Sequence, residues 1–555
     1  MNVKEVQRRL WEQSRMHKQH RESGSPLFPV NSYDGRVRNL MDLLHHPQWI
    51  AEACARVMTR SRGKAPGVDG ITVSVFERTQ TKELEALRLE LKHGTYRPQP
   101  LRRSVIIKPN GKPRKLGIPC LRDKIVQETV RMALEPIFEV EFHDDSYGFR
   151  PNRSTHHAIF RCKHLMNRQF TWVIEGDVKA CFDEISHKAI LQALRKKVMD
   201  NKFLNLIRLF LKSGVEIEGI VHPTEKGVPQ GGVVSPLLAN VVLNKLDWFL
   251  HAKGSHNLAS RRAWYNREPN LRFVRYADDW CVFITRASKR YAENLREEIR
   301  GFLAVNCGLR LSEEKTHITH VREGFEFLSF RLEMGVVRRG HHAAKIKVPL
   351  EAVANAKRSL AKAIRHRPQQ ESIAVRMIRG SAVVRGWAHY YKIAHNYSVV
   401  SSLLDHHAYW IAVKAICRKQ DISTAKCLRG YTFGSYIGMF STCTLAKFRD
   451  IRMAWDQGGP EPYVPGNGDY ESDSDVDGER YIHEKNRTGG MDLKHQALAR
   501  DGLKCSQCGK PITAATSQAD HIKPVQSFAS FAQASYLENM QTLCLFCHKE
   551  KTYAK

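Results

Sequence analysis

Two aspartates stand side by side in Tyr276-Ala277-Asp278-Asp279, between the apolar runs RFVR (272–275) and WCVFIT (280–285). A strand–turn–strand reading puts both carboxylates at the tip of a hairpin. Adjacent like charges are unfavourable unless a cation holds them, and Mg²⁺ takes oxygen ligands. Alone, such a tetrapeptide reads equally as a polar turn. Asp177 changes that, because it ends a strand-like run in VIEGDVKACFDEI. Two strands presenting carboxylates to one place make a two-metal site for in-line phosphoryl transfer. A second set lies near the C-terminus: Cys505-x-x-Cys508 and Cys544-x-x-Cys547. This is zinc spacing, and four thiolates in a closed Zn²⁺ site supply folding energy that so small a module lacks. The other nine cysteines are scattered singly through residues 1–443, as in a reduced intracellular protein.

The elements that must position these groups divide the chain. Residues 100–335 alternate strand-like and helix-like patterns. RSVIIKP (103–109), KLGIP (115–119) and WVIEGDV (172–178) read as strands. DKIVQETVRMALEPIF (123–138) reads as a helix capped by Asp123, and Ser186 starts another. From 350 to 435 amphipathic helices follow one another. Gly and Pro then cluster at 458–468 before an acidic run, GDYESDSDVDGE (468–479), which reads as a solvated linker.

Composition bounds the partners. The 555 residues suggest three or four domains, and 42 % hydrophobic content suffices for packed cores. The formal charge of +31 repels itself unless a polyanion neutralises it, so nucleic acid is the first partner to consider. The longest apolar stretch, Val233 to Leu243, is too short and too polar to span a membrane, and no secretory signal is expected.

The motifs resemble the reverse transcriptases encoded by group II introns. Matching blocks occur in the family's order: Lys108/Gly111-Lys112/Arg114 with IPCLRDKIVQ, SYGFRPNRSTHHA (146–158), EGDVKACFD, GVPQGGVVSPLLANVVLNKLD (227–247), RYADD, LSEEKTHI (311–318) and GFEFLSF (324–330). GKAPGVDGIT (63–72) resembles the additional N-terminal block of these enzymes. The resemblance implies a multidomain α/β plus α chain: a right-hand polymerase with a mixed α/β palm, an α-helical thumb, and a small zinc-stabilised nuclease module. It implies that Asp177, Asp278 and Asp279 hold Mg²⁺ with Tyr276 in support. Lys108, Lys112 and Arg114 would neutralise a deoxynucleoside triphosphate, Phe182 would crowd a ribose 2′-hydroxyl, and Gln230 would lie near the nucleotide. GFEFLSF resembles the segment that grips a primer terminus, but has Ser329 where the family usually has Gly.

The helical region would be the thumb, or maturase domain, binding the encoding intron's RNA. Trp387, Tyr390 and Tyr391, at i, i+3 and i+4, read as core aromatics in preference to base-stacking ones. The cysteine pairs enclose Asp520-His521, Asn539 and His548, which resembles an HNH endonuclease with Asp520 where another His is usual. Asp520 and His548 would hold Mg²⁺, His521 would act as general base, and Asn539 would fix its loop. The expected division is 1–100 N-terminal extension, 101–345 fingers and palm, 346–438 thumb, 439–495 DNA-binding region or linker, and 496–555 nuclease. Intron RNA, target DNA and dNTPs are the expected partners, in a bacterial cytoplasm beside the nucleoid or in an organelle. The rival readings are a non-mobile splicing cofactor with vestigial enzyme domains, and a retron or diversity-generating enzyme. The complete acid sets oppose the first, and the appended modules oppose the second.

Overall fold

The computed structural model describes residues 1–23, 36–61, 65–107, 113–254, 269–336, 341–440, 443–453, 460, 462–465, 505–508, 517–521 and 540–544. Lys108, Lys112, Asn539, Cys547 and His548 therefore lie outside the described residues, as does the acidic run 468–479. Residues 1–349 and 393–396 belong to one compact unit, and residues 350–392 and 397–453 to another.

In the first unit, helices α1 (Val3–Ser23), α2 (Leu40–Leu44), α3 (Pro47–Ser61) and α4 (Val73–His93) precede the strands β1 (Leu101–Ile107) and β2 (Pro113–Ile118). Helix α5 (Leu121–Glu139) is buried on nearly every side. Gln7 Nε2 on α1 and Trp49 Nε1 on α3 donate to its Met132 and Thr129 carbonyls, at 2.9 and 3.1 Å. Its polar residues are buried with partners, as burial of charge requires. Glu128 meets Arg131 and Glu139 meets Arg150, at 2.7 and 2.9 Å. Asp123 is not the cap expected of it. Cys120 holds the N-cap position, and Asp123, one turn further in, accepts from the Tyr96 hydroxyl and the Gln99 N–H. The helix starts earlier than its charge pattern indicates because Leu121 is itself a core residue.

After α6 (Thr155–Asn167) comes β3 (Trp172–Asp177), then α7 (Cys181–Glu184), α8 (His187–Arg195), α9 (Asn201–Leu211), β4 (Val215–Ile217), β5 (Ile220–His222) and α10 (Ser235–Lys253). Ser186 caps α8, its hydroxyl accepting from the Ala189 N–H, as expected. Strands β6 (Asn270–Tyr276) and β7 (Asp279–Thr285), helix α11 (Lys289–Cys307) and β8 (His317–His320) complete an antiparallel sheet of order β6-β7-β3-β8. Helix α10 packs on β6 and α11 on β3. A second sheet, β2-β1-β4-β5, carries the basic hairpin, and a third follows, built from β9 (Phe325–Phe327), β10 (Phe330–Val336) and β11 (His342–Lys347).

The second unit is helical, as its periodicity indicates. Helix α12 (Leu350–Leu360) runs into a π-helical turn, Ala361–Arg365, and is followed by α13 (Ile373–Tyr391), α14 (Tyr397–Gln420) and α15 (Thr424–Tyr431). Of the three aromatics read as core, Tyr391 is buried, whereas Trp387 and Tyr390 are half-buried. The indole donates to the Ala352 carbonyl at 3.3 Å and lies edge-on to buried Phe448. A small sheet, Thr432–Phe433, Tyr436–Phe440 and Cys443–Thr444, closes the unit. Its strands are too short to show a periodicity in sequence. Buried Asp405 fastens this end by accepting from the Phe448 N–H at 2.6 Å and the Arg449 side chain at 2.8 Å. Among the described residues no helix is long and apolar enough to cross a membrane.

The β9–β10 hairpin turns on Leu328 and Ser329, with φ of 47° and 58°. Both values lie in the left-handed region that costs L-residues about 1–2 kcal/mol each, and two-residue hairpins of this kind prefer Gly. Ser329 is exposed, so its side chain contributes little packing in return. Ser329→Gly should therefore raise the thermal unfolding midpoint, with a gain of about 0.5–1 kcal/mol. Ser329→Val should lower the midpoint. Equal midpoints for the Gly and Val variants would contradict this account of the turn.

Candidate functional site

Strand β3 ends at Asp177, directly opposite Asp279, the first residue of β7. Ala277 and Asp278 form the turn between β6 and β7, with Ala277 at φ 57°. The three carboxylates predicted from sequence thus meet at one end of the sheet. Asp279 is accessible to solvent, yet it is crowded by protein at longer range. Burial and the neighbouring Asp278 and Asp177 charges raise its pKa above the usual carboxylate range. Burial, then Asp177, raise that of Asp278.

Lys315 answers part of this charge, its Nζ lying 2.8 Å from Asp177 Oδ2. That hydrogen bond raises the Lys315 pKa. The lysine arrives on a short turn, Glu313–Lys315, tied to the end of β3 by the Ser312 N–H to the Asp177 carbonyl at 2.9 Å. Among the described residues, no three His, Cys, Asp or Glu side chains converge closely enough to hold an ion. The donor chemistry nevertheless fits a hard divalent cation: three carboxylates whose mutual repulsion one ammonium only partly offsets.

The turn itself is held from beneath. Arg275, 1 % exposed, uses all five guanidinium N–H groups. Nε and Nη2 form a fork on Asp247, at 2.7 and 2.6 Å. Nη1 donates to Asn240 Oδ1 and to the Ala277 carbonyl, both at 2.8 Å. Nη2 also donates to Ser146 Oγ at 2.8 Å. Gly148 lies so close above the turn that a Cβ there would stand 2.3 Å from the Ala277 nitrogen. A Cβ on Gly176 would enter the Trp280 ring at 2.1 Å. Arg275, Lys315 and Gly148 have no assigned task in the sequence reading. The available signal was Arg275 itself, a charge beside the apolar Phe273-Val274 of its strand.

On the nucleotide side, Phe182 sits on α7, its ring edge-on to Phe149 with centroids 6.2 Å apart. The Val228 N–H donates to the Phe182 carbonyl at 2.6 Å, which anchors the Pro229-Gln230-Gly231 loop. Gln230 Oε1 accepts from Arg114 Nε at 3.2 Å, and its carbonyl accepts from the Gly117 N–H at 2.9 Å. Gly231 is required at this junction: with φ 118°, a Cβ would lie 2.6 Å from the Gly117 carbonyl oxygen. Arg114, Phe182 and Gln230 thus belong to one framework with the aspartates.

At the C-terminus, Ser517–His521 pairs antiparallel with Met540–Cys544. His521 lies opposite Met540, Asp520 opposite Gln541, and Ser517 opposite Cys544. Cys505 is buried and Cys508 exposed.

Residues 106–332 match the family described as reverse transcriptase (RNA-dependent DNA polymerase). Residues 353–429 match the group II intron maturase-specific domain, and residues 505–554 match HNH endonuclease. Protein YkfC of Escherichia coli K12 is 40 % identical over 347 residues, 59 % of this chain and 91 % of that protein. Group II intron-encoded protein LtrA of Lactococcus lactis is 33 % identical over 336 residues, 51 % of this chain and 55 % of its own. A putative COX1/OXI3 intron 2 protein of Saccharomyces cerevisiae is 28 % identical over 65 % of this chain and 49 % of its own length. The chain thus spans nearly all of the first of these relatives and about half of the other two.

Arg275→Ala should destabilise the first unit by about 3–5 kcal/mol, because it strands the buried Asp247 charge. Arg275→Lys keeps the charge but loses the fork, and should cost less. Urea unfolding measures both, and a neutral effect of the alanine variant would refute the anchoring role. A pH effect follows from the neighbouring histidines. His143 Nδ1 accepts from the Asp145 N–H at 3.0 Å, so its Nε2–H must donate to His251 Nδ1, 2.8 Å away. Both rings are neutral in this arrangement, and burial lowers both pKa values. The stability they contribute is present above the ordinary histidine value of about 6.5 and is lost as pH falls below it. The thermal midpoint should drop between about pH 6.5 and 5, and His143→Leu/His251→Leu should flatten that dependence. An unflattened profile would assign the acid sensitivity elsewhere.

Proposed function

Because this chain belongs to the group II intron-encoded reverse transcriptase family, we propose that it binds its intron's RNA, assists RNA folding for splicing, and copies that RNA into DNA at a nicked target. The observation that carries the polymerase reading is the register of β3 on β7, with Asp177 facing Asp279 and Asp278 in the adjoining turn. The domain matches support the remainder. In this reading residues 1–100 extend the fingers and palm of 101–345, 346–438 is the thumb and maturase domain, 439–495 contacts DNA or connects, and 496–555 cuts.

Bound between Asp177, Asp278 and Asp279, Mg²⁺ would neutralise a triphosphate and lower the pKa of a primer 3′-hydroxyl. The chain's own groups do the rest. Lys108, Lys112 and Arg114 meet the triphosphate, with Arg114 exchanging Gln230 for phosphate oxygens. Phe182, braced by Phe149, narrows the space beside the sugar and favours deoxynucleotides. The ammonium of Lys315 shields Asp177 from its neighbours until a divalent cation takes its place. Tyr276 supports the turn from the end of β6. In the nuclease module, Cys505, Cys508, Cys544 and Cys547 would hold structural Zn²⁺, and Asp520 and His548 a catalytic Mg²⁺. His521, oriented by Asn539, would accept a proton from the attacking water. The nicked strand's 3′-hydroxyl then primes synthesis.

Primer extension on an RNA template tests the central claim. Asp278→Asn should give no product while RNA binding persists, and full-length product from that variant would end the polymerase assignment. His521→Ala should abolish nicking of duplex DNA and leave primer extension intact. Lys315→Met should lower the Mg²⁺ concentration that half-saturates the magnesium-dependent rise in thermal midpoint. An exposed lysine–carboxylate pair is worth roughly 0.2–1 kcal/mol, so the expected decrease is up to about fivefold. An increase would show that the lysine helps to build the cation site.

A further inference from the structure

The second unit contains a cavity of about 340 Å³ to which neither the polymerase nor the nuclease reading gives a task. Three segments meet around it. The π-helical turn ends in Arg365, the connection into α13 and the first turn of α13 supply Arg367 and Arg376 respectively, and the end of α14 supplies Lys414, Arg418 and Lys419. Six of its eight lining residues are cationic, and none is acidic or aromatic. Cations at a helix C-terminus are favoured by the helix dipole, which accounts for Arg418 and Lys419. It accounts equally for Arg365 at the end of the π-helical turn, but not for Arg367, Arg376 and Lys414.

The nearest compensation is incomplete. Glu371 is shared between Arg367 and Arg379, at 2.7 and 2.8 Å. Arg376 is 4 % exposed and donates from Nη2 to the Pro368 carbonyl at 2.7 Å, but its buried Nε–H has no acceptor. A buried guanidinium with an unused donor beside five further cations is costly unless an anion arrives. The absence of aromatic rings from the lining excludes base stacking and leaves phosphate as the recognised group. A concave wall of Arg and Lys suits phosphate oxygens, which guanidinium forks grip in pairs.

We propose that this cavity is a phosphate-binding anchor for RNA, holding the strand without reading its sequence. The proposal rests on the maturase reading of the unit that contains it. The test uses the full chain, a fluorescein-labelled mixed-sequence single-stranded RNA, and anisotropy titrations over a range of KCl concentrations. The substitutions Arg365→Gln, Lys414→Gln and Arg418→Gln are combined, because all three residues are exposed and their loss should spare the fold. Circular dichroism melting checks that it does. Each lost phosphate contact on a single strand lowers the log–log salt slope by about 0.7, so the triple variant should show a slope shallower by about 0.7–2. A control combining Lys188→Gln, Arg195→Gln and Lys202→Gln, also exposed, should keep the wild-type slope. An unchanged slope in the pocket variant, or an equal loss in the control, overturns the proposal. So does a loss confined to RNA and absent with single-stranded DNA of the same sequence, because an anchor that grips phosphate alone does not read the 2′-hydroxyl. Failure of the wild-type chain to bind RNA would instead overturn the maturase reading from which the proposal starts.

Discussion

Arg275 is a positive charge buried directly beneath a turn that carries two negative ones, and it has no donor left unused. One planar group therefore fixes four segments together: the aspartate turn through the Ala277 carbonyl, α10 through Asn240 and Asp247, the 146–148 loop through Ser146, and its own strand. Asn240 extends the network by donating to the Gly148 carbonyl at 2.8 Å. A guanidinium with five bonds has one orientation, so the turn above it has one position. The aspartates need that rigidity, because like charges tend to push their hairpin open.

Close backbone approach completes the support. Gly148 over Ala277, Gly176 over Trp280, and Gly231 over Gly117 each occupy space that a methyl group would fill. Through the last of these, the β1–β2 hairpin rests on the loop that carries Gln230, with Arg114 and Gln230 bonded across the junction. Arg114 acts on the carboxylates as well, offsetting a small part of the rise in the Asp278 pKa.

The second unit divides the same chemistry differently. Among its aromatic residues, Tyr391, Tyr397 and Phe448 pack around Trp387, while Trp410 is exposed. Six of its cations surround one cavity, Arg376 among them buried. In the reading proposed above, this unit would meet a polyanion by charge and shape.

The order of the motifs, the alternation of strands and helices, and the identity of Asp177, Asp278 and Asp279 were all legible from residue type and spacing. Local rules suffice for these, because a strand's end, a turn and a cap are decided by neighbours in the chain. Asp123 shows the limit, since burial of Leu121 moved the helix start. What only the tertiary structure decided are the contacts between distant segments. Arg275 meets Ser146 across 129 residues, Lys315 meets Asp177 across 138, and Arg114 meets Gln230 across 116. The paired positive φ values at Leu328 and Ser329 likewise follow from the register of β9 on β10. Sequence spacing carries no information on which remote side chains converge. It named the carboxylates proposed for the chemistry, and packing chose the arginine bonded to their turn and the lysine bonded to Asp177.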